Sequence, residues 1–171
     1  MGEDDGVETE EPAASPTVLS CVCKWSNYHG YPNEADSRCG PLPQCALPSP
    51  CSAVGIWNSE LTNVDAGRCA AEALRDRRVG SYLLADHRLA PMEQGHTILL
   101  LGGDFAFGSE YEHGPDYSQR GTVYGRHRLR SPLHFEGCLD LMDDHSAMFD
   151  CLADWREACD RAPNPECPAP P

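Results

Sequence analysis

A chain of 171 residues has the length of a single domain. Its formal net charge is −14, and Leu, Ile, Val and Phe together account for only 29 residues, so we expect a small core and disorder in part of the chain. The acidic charge argues against nonspecific binding to nucleic acid or to anionic membranes. No apolar run approaches the length of a membrane span.

The first sixty residues contain little that predicts regular structure. Residues 1–20 are acidic and then rich in Pro and Ala, which predicts a disordered lead-in. They show neither the basic nor the apolar region of a signal peptide. Residues 21–60 contain five cysteines and the proline-rich stretch CGPLPQCALPSPC. We predict irregular structure there, which disulfides would have to keep compact.

Residues 61–110 are predicted to form a helix–helix–strand segment. Asn63 is suited to cap the first helix, whose Ala and Leu residues recur at helical spacing until Gly80 ends the pattern. Ser81 is suited to cap a short second helix, SYLLADHRLA, which Pro91 would stop. The aliphatic run at 97–101 predicts a strand.

The predicted strand leads directly into a Gly-Gly-Asp-Phe sequence. The alternation of Phe105 and Phe107 predicts that the chain stays extended beyond the glycines. Such an ending suggests the edge of a sheet where glycines let a ligand approach, which makes Gly102, Gly103, Asp104 and Phe105 substrate-side candidates. The alternative is an ordinary strand that leaves the core through a turn, and these residues alone favour the turn.

The remaining residues divide into three parts. Residues 111–137 are predicted to be rich in loops, and their basic stretch RGTVYGRHRLR is interpreted as a solvated loop. Residues 138–162 are predicted to contain a C-terminal helix, capped by Asp144 or Ser146, with one face formed by Met148, Leu152, Trp155 and Cys159. Residues 163–171 form a Pro-rich tail.

Ten cysteines at close spacing indicate a disulfide framework in an oxidising compartment. They are Cys21, Cys23, Cys39, Cys45, Cys51, Cys69, Cys138, Cys151, Cys159 and Cys167. Cys21 and Cys23, with His29 and Cys39 following, do not match the paired C-x-x-C spacing of a structural zinc site.

A second group of metal-ligand types lies in SEYEHGPD. Glu110, Glu112, His113 and Asp116 offer oxygen and nitrogen ligands for a divalent cation, but a solvated acidic loop explains the same residues. We therefore predict no metal ligand and no cofactor from the residues of this chain.

Three segments, RCGPLPQC (38–45), NVDAGRCAAEAL (63–74) and HTILLLGGDFAF (96–107), resemble in the same order part of the catalytic domain of glycoside hydrolase family 38, the α-mannosidases. The resemblance covers about residues 37–107. It implies an α/β or α+β fragment of an α/β barrel-like catalytic domain with long irregular, cysteine-rich segments. It also implies an α-mannoside glycan as partner and a location in the secretory lumen, in the Golgi or the lysosome.

The family's catalytic residues match this chain poorly. The intact enzymes use zinc for retaining hydrolysis of α-mannosidic bonds in N-glycans, but the His-x-Asp pair and the Trp-x-x-Asp-Pro context of the nucleophile are absent here. The family's general acid falls at Glu34, while Asp36 has the expected type two residues away. These two residues are the only catalytic candidates that the resemblance supplies.

The sequence thus supports three hypotheses. The first is a truncated or degenerate α-mannosidase segment that is inactive alone. The second, from a different class, is a small disulfide-stapled secreted or surface module that binds a partner without catalysis. The third is a mostly disordered acidic cytosolic protein.

Overall fold

The computed structural model describes residues 22–28, 31–32, 45–114 and 119–160. The predicted lead-in at 1–20, the tail at 163–171 and the catalytic candidates Glu34 and Asp36 lie outside these residues. The first two strands are described by their backbone alone. Side-chain contacts are therefore described for residues between 45 and 160.

The described residues include nine strands: β1 Val22–Tyr28, β2 Tyr31–Pro32, β3 Val54–Trp57, β4 Glu60–Leu61, β5 Gly80–Asp86, β6 Glu93–Gly102, β7 Phe105–His113, β8 Gln119–Leu129 and β9 Arg156–Cys159. They form one mixed sheet in the order β2-β1-β8-β7-β6-β5-β3-β4, and β9 pairs with the end of β8. Within the described residues only β3 and β5 pair in parallel; every other pair is antiparallel.

The described residues include three helices: α1 Val64–Arg75, α2 Pro132–Leu139 and α3 His145–Ala153. Each begins at a side-chain cap. Asn63 accepts a hydrogen bond from the Ala66 backbone N–H, as predicted. Ser131 and Asp144 cap α2 and α3 in the same way. None of these helices is long and apolar enough to cross a membrane.

The core lies between the helices and one face of the sheet. Alternate residues of the central strands, such as Tyr82, Leu84, Ile98 and Leu100, are buried there because side chains alternate between the two faces of a strand. The helices add their apolar side chains to the same layer, among them Leu74, Phe135, Met148, Phe149 and Leu152. The architecture is α+β, which confirms that alternative of the predicted fold class.

Two disulfides attach the helices to their neighbours. Cys51–Cys69 joins the segment before β3 to α1, and Cys138–Cys151 joins α2 to α3. Cys45 and Cys159 are also disulfide-bonded. The disulfide framework expected from the cysteine count is therefore present in the described residues. Cys21, Cys39, Cys167 and the side chain of Cys23 lie outside the described part of the chain.

The predicted second helix, SYLLADHRLA, is wrong. Residues 80–86 form the central strand β5, which pairs with β6 from Gly80↔Leu100 to Asp86↔Gln94. Tyr82, Leu84 and Asp86 point to the core while Leu83 is exposed, so the burial period is two rather than 3.6. Pairing with β6 outweighs the local helical pattern.

The loop-rich interpretation of residues 111–137 is also wrong, because β7 and β8 are long paired strands and α2 follows them. Polar side chains occupy inward positions of these strands, so the expected apolar alternation is missing from the sequence.

The C-terminal helix is shorter than predicted. Helix α3 ends at Ala153, and the chain continues as β9 along β8, with Leu129 opposite Arg156. Trp155 lies between these two elements and is 1% exposed. Trp155 is apolar because it packs against the sheet, and not because it lies on the apolar face of a helix.

Candidate functional site

The Gly-Gly-Asp-Phe segment forms the hairpin between β6 and β7. Gly102 has φ 135° and Gly103 has φ 65°, backbone values that favour glycine. The Asp104 carboxylate accepts a hydrogen bond of 2.9 Å from Arg77 Nε, and Arg77 also donates to the Arg130 carbonyl. The Arg126 guanidinium packs over the Phe105 ring, and its Cζ atom is 4.2 Å from the ring centre. The segment is thus a turn anchored to the loops beside it.

Glu110 is the centre of a half-buried ion-pair network on the helix-bearing face of the sheet. Its carboxylate accepts hydrogen bonds of 2.7 Å from the Tyr124 hydroxyl and 3.2 Å from Arg156 Nη1. His96 Nδ1 lies 3.3 Å from Glu110 Oε1, the oxygen that Arg156 also contacts. The Arg156 guanidinium also packs on the Tyr124 ring, 3.9 Å from its centre. The network joins β6, β7, β8 and β9.

The network shifts the pKa values of Glu110 and Tyr124 in opposite directions. Burial alone would raise the pKa of Glu110, but His96, the Tyr124 hydroxyl and the Arg156 charge lower it to about 2. Burial, together with the hydrogen bond to Glu110, raises the pKa of Tyr124 to about 12. At neutral pH Glu110 is therefore ionised and Tyr124 is a hydrogen-bond donor.

A second ion-pair group lies between β5 and α3. Arg88 bridges Asp86 and Asp150, with N···O distances of 2.6 and 2.7 Å, and its guanidinium also lies 5.3 Å from the Phe149 ring centre. Burial opposes ionisation of Asp86, but its hydrogen bonds with Arg88 lower its pKa. The same two carboxylates raise the pKa of Arg88. This group therefore attaches α3 to the sheet by fixed charges.

These two groups do not have the character of a glycosidase acid–base pair. Such a pair needs one carboxyl group whose pKa is raised, so that it can give a proton to the leaving oxygen. Among the described carboxyl groups, the pKa values of Asp76, Asp86 and Glu110 are all lowered. Asp86 and Glu110 are therefore held as carboxylates, each beside an arginine.

The acidic group considered as a cation site is split by the fold. Glu110, Glu112 and His113 belong to β7, where Glu110 and Glu112 share a face and His113 falls on the other. Arg156 already neutralises Glu110. Asp116 lies outside the described residues.

The most exposed aromatic side chain of the described residues is Trp57, at the end of β3. It is 50% exposed, and its ring lies 5.7 Å from that of His87, which follows β5. Leu89, 58% exposed, is two residues further along. Glu60 and Glu93 complete the surface, and we call these five residues the Trp57 patch.

The backbone holds this patch in place. Asn58 and Ser59 form a two-residue turn with φ 47° and 71°, which places Trp57 opposite Glu60. The His87 backbone N–H donates to the Ile56 carbonyl at 3.0 Å, which continues the parallel pairing of β3 and β5. The patch therefore lies at the carboxyl ends of two parallel strands, a common position for binding sites in sheets with parallel strands.

The two carboxylates of the Trp57 patch, those of Glu60 and Glu93, each lie close to a histidine ring. Glu93 Oε1 is 3.4 Å from His87 Nδ1, and Glu60 Oε2 is 2.6 Å from His145 Nδ1, yet the Glu side chains remain 51% and 77% exposed. Sequence reasoning missed this patch because nothing in WNSE shows that the tryptophan stays outside the core. The Asn-Ser pair between Trp57 and Glu60 was the one signal of its hairpin.

A hollow of about 610 Å³ lies on the helix-free face beside the Cys51–Cys69 disulfide. Ser49, Ser52, Ser81 and Thr97 contribute hydroxyl groups to it, and Leu83 contributes apolar surface. Its lining contains no charged and no aromatic side chain. Comparison of the chain with protein-family models, with curated proteins and with solved structures gives no match.

Proposed function

We propose that this chain is a disulfide-stapled binding module that contacts a cationic partner protein through the Trp57 patch. The single observation that carries the proposal is the half-exposed Trp57 ring, which lies on His87 beside two exposed carboxylates. This is the second of the three sequence hypotheses, the disulfide-stapled module that binds a partner without catalysis.

The chemistry of the patch favours a partner with Lys or Arg side chains. A tryptophan held by a tight hairpin supplies apolar area at little entropic cost, and its face attracts cations. Glu60 and Glu93 would accept hydrogen bonds from the same cationic groups. The net charge of −14 adds a long-range attraction that speeds encounter with a basic surface.

The disulfides bear on where such a module would act. Cys51–Cys69 and Cys138–Cys151 are compatible with an oxidising compartment, either secretory or extracellular. A more specific location in the Golgi or the lysosome depends on the family 38 resemblance alone.

The patch can be tested with a hexa-arginine peptide titrated into the isotopically labelled chain. We expect NMR shift changes centred on Trp57, His87 and Leu89. Replacing Trp57 by Ala should weaken binding by about 1–2 kcal/mol, or about five- to thirtyfold. Leu133→Ala is the matched control, because Leu133 is 80% exposed but lies on α2.

Two outcomes would contradict this assignment. One is a set of shifts spread evenly over the acidic surface, with the same affinity in Trp57→Ala as in the unmodified chain. The other is equal binding of a hexa-glutamate peptide, since the proposal requires a cationic partner.

The family 38 hypothesis stays a prediction, and it concerns a different property. Two of its three segments lie within the described residues: NVDAGRCAAEAL covers the cap and all but the last residue of α1, and HTILLLGGDFAF covers β6 from His96, the turn and the start of β7. The intact parent would hydrolyse α-mannosidic bonds with zinc, and an α-mannoside glycan would be the partner.

As the inactive segment that the hypothesis describes, this chain should show no zinc-dependent turnover of a chromogenic α-mannoside. An intact family 38 enzyme at the same concentration provides the positive control. Clear turnover that a chelator abolishes would overturn the hypothesis of an inactive segment and would leave the Trp57 test unaffected.

A further inference from the structure

Three potential metal ligands meet where α2 packs on α3. His134 and Cys138 are four residues apart on α2 and therefore share a helical face. Cys151 of α3 faces them, and the ligand atoms of all three residues lie within 4.8 Å of one another. No other group of three such ligands occurs within the described residues. In the structure, the two cysteines form the Cys138–Cys151 disulfide.

We propose that His134, Cys138 and Cys151 form a zinc site when this disulfide is reduced. A dithiol reductant transfers two electrons to the disulfide and becomes a disulfide itself, and the two sulfurs take up two protons. Zn²⁺ then binds the two thiolates and the imidazole and releases those protons. The cross-link between α2 and α3 would thus persist as a metal bridge in a reducing environment.

The existing distances fit this set of ligands. In a tetrahedral site with ordinary Zn–N and Zn–S bonds, the nitrogen and a sulfur are about 3.6 Å apart and two sulfurs are about 3.8 Å apart. His134 Nε2 already lies 3.8 Å from Cys151 Sγ. The main change that zinc requires is therefore the separation of the two sulfurs, which reduction of the disulfide permits.

The burial of the three residues also favours a bound zinc ion at this position over free thiols exposed to solvent. Cys138 is fully buried in the core, while His134 and Cys151 are partly exposed and leave a path for the ion. His134 Nε2 donates to the Cys151 carbonyl at 3.0 Å in the disulfide form, so the ring is already held at the site. Metal binding would replace this bond and move the ring proton to Nδ1. Three protein ligands leave the fourth position to water.

The test uses the full chain, reduced with a phosphine, freed of reductant without oxygen and titrated with Co²⁺ as a spectroscopic substitute for Zn²⁺. We expect a thiolate-to-cobalt charge-transfer band and the intense visible bands of tetrahedral Co²⁺. His134→Gln should weaken the affinity roughly tenfold or more. The Cys138→Ser/Cys151→Ser variant should lose these bands, whereas the matched Cys51→Ser/Cys69→Ser control should keep them.

Thermal unfolding provides the second readout, because the other cysteines are also reduced. Zn²⁺ should raise the melting temperature of the reduced chain but not that of Cys138→Ser/Cys151→Ser. The proposal is overturned if the unmodified chain gives no bands or if His134→Gln binds Co²⁺ equally well. It is also overturned if the reduced chain is unfolded and Zn²⁺ does not restore its circular dichroism.

Discussion

Replacing Glu110 by Gln should lower the free energy of unfolding by about 2 kcal/mol near neutral pH. The amide can still accept the hydrogen bond from the Tyr124 hydroxyl, so the lost contribution is the charge. Without it, the half-buried Arg156 guanidinium lacks its carboxylate partner, and His96 loses the negative charge 3.3 Å from Nδ1. Chemical unfolding followed by circular dichroism measures this loss.

The effect should depend on pH in one direction. The pKa of Glu110 is about 2 in the folded chain, below its ordinary value of 4.5, so the unfolded chain binds the proton more tightly. The contribution of Glu110 is therefore fully present above about pH 5 and is lost as the pH falls towards about 2. The difference between the unmodified chain and Glu110→Gln should shrink over that interval.

Asp104→Asn is the control for this comparison. Asp104 also pairs with an arginine, at 2.9 Å, but its side chain is 59% exposed at the hairpin turn. Solvent weakens such a pair, so the expected cost is below about 1 kcal/mol. Equal losses for the two variants, or a Glu110→Gln difference that does not change with pH, would show that the network does not stabilise the fold through its charge.

Local signals in the sequence sufficed for some elements and failed for others. Helix α1 was predictable because its Asn63 cap and its apolar spacing lie within one short segment. Strand β5 was missed because SYLLADHRLA is compatible with both periods, and only its pairing with β6 decides between them. That pairing is not local, so a short window of sequence cannot contain it.

The candidate sites were missed for a related reason. Glu110 and Tyr124 look like loop residues until Arg156, 46 residues beyond Glu110, is brought beside them. Trp57 looks like a core residue, since tryptophans are usually well buried, and only the fold leaves it at the end of a sheet. Charge balance and exposure are properties of the assembled structure, whereas caps and turns are properties of short segments.

Gly108 should not tolerate even a methyl group. It lies on the core face of β7, opposite Ile98 of β6. A Cβ there would lie 2.6 Å from Cζ2 of Trp155 and 2.8 Å from the Thr97 carbonyl oxygen. Trp155 is fully buried and Thr97 is part of the adjoining strand, so neither can move away without disturbing the sheet. We expect Gly108→Ala to cost about 3 kcal/mol of unfolding free energy.

The same substitution at Gly137 should have the opposite sign. Gly137 lies in α2, and a Cβ at this position would meet nothing within 4 Å. Alanine there should stabilise the chain by about 0.5–1 kcal/mol, because glycine is the poorer helix former.

Chemical unfolding with tryptophan fluorescence as the probe measures both variants. If Gly108→Ala unfolds at the same denaturant concentration as the unmodified chain, Trp155 does not pack against β7 as described. A large loss at Gly108 with a gain at Gly137 would instead support the close packing of β7 against Trp155 and the backbone of β6.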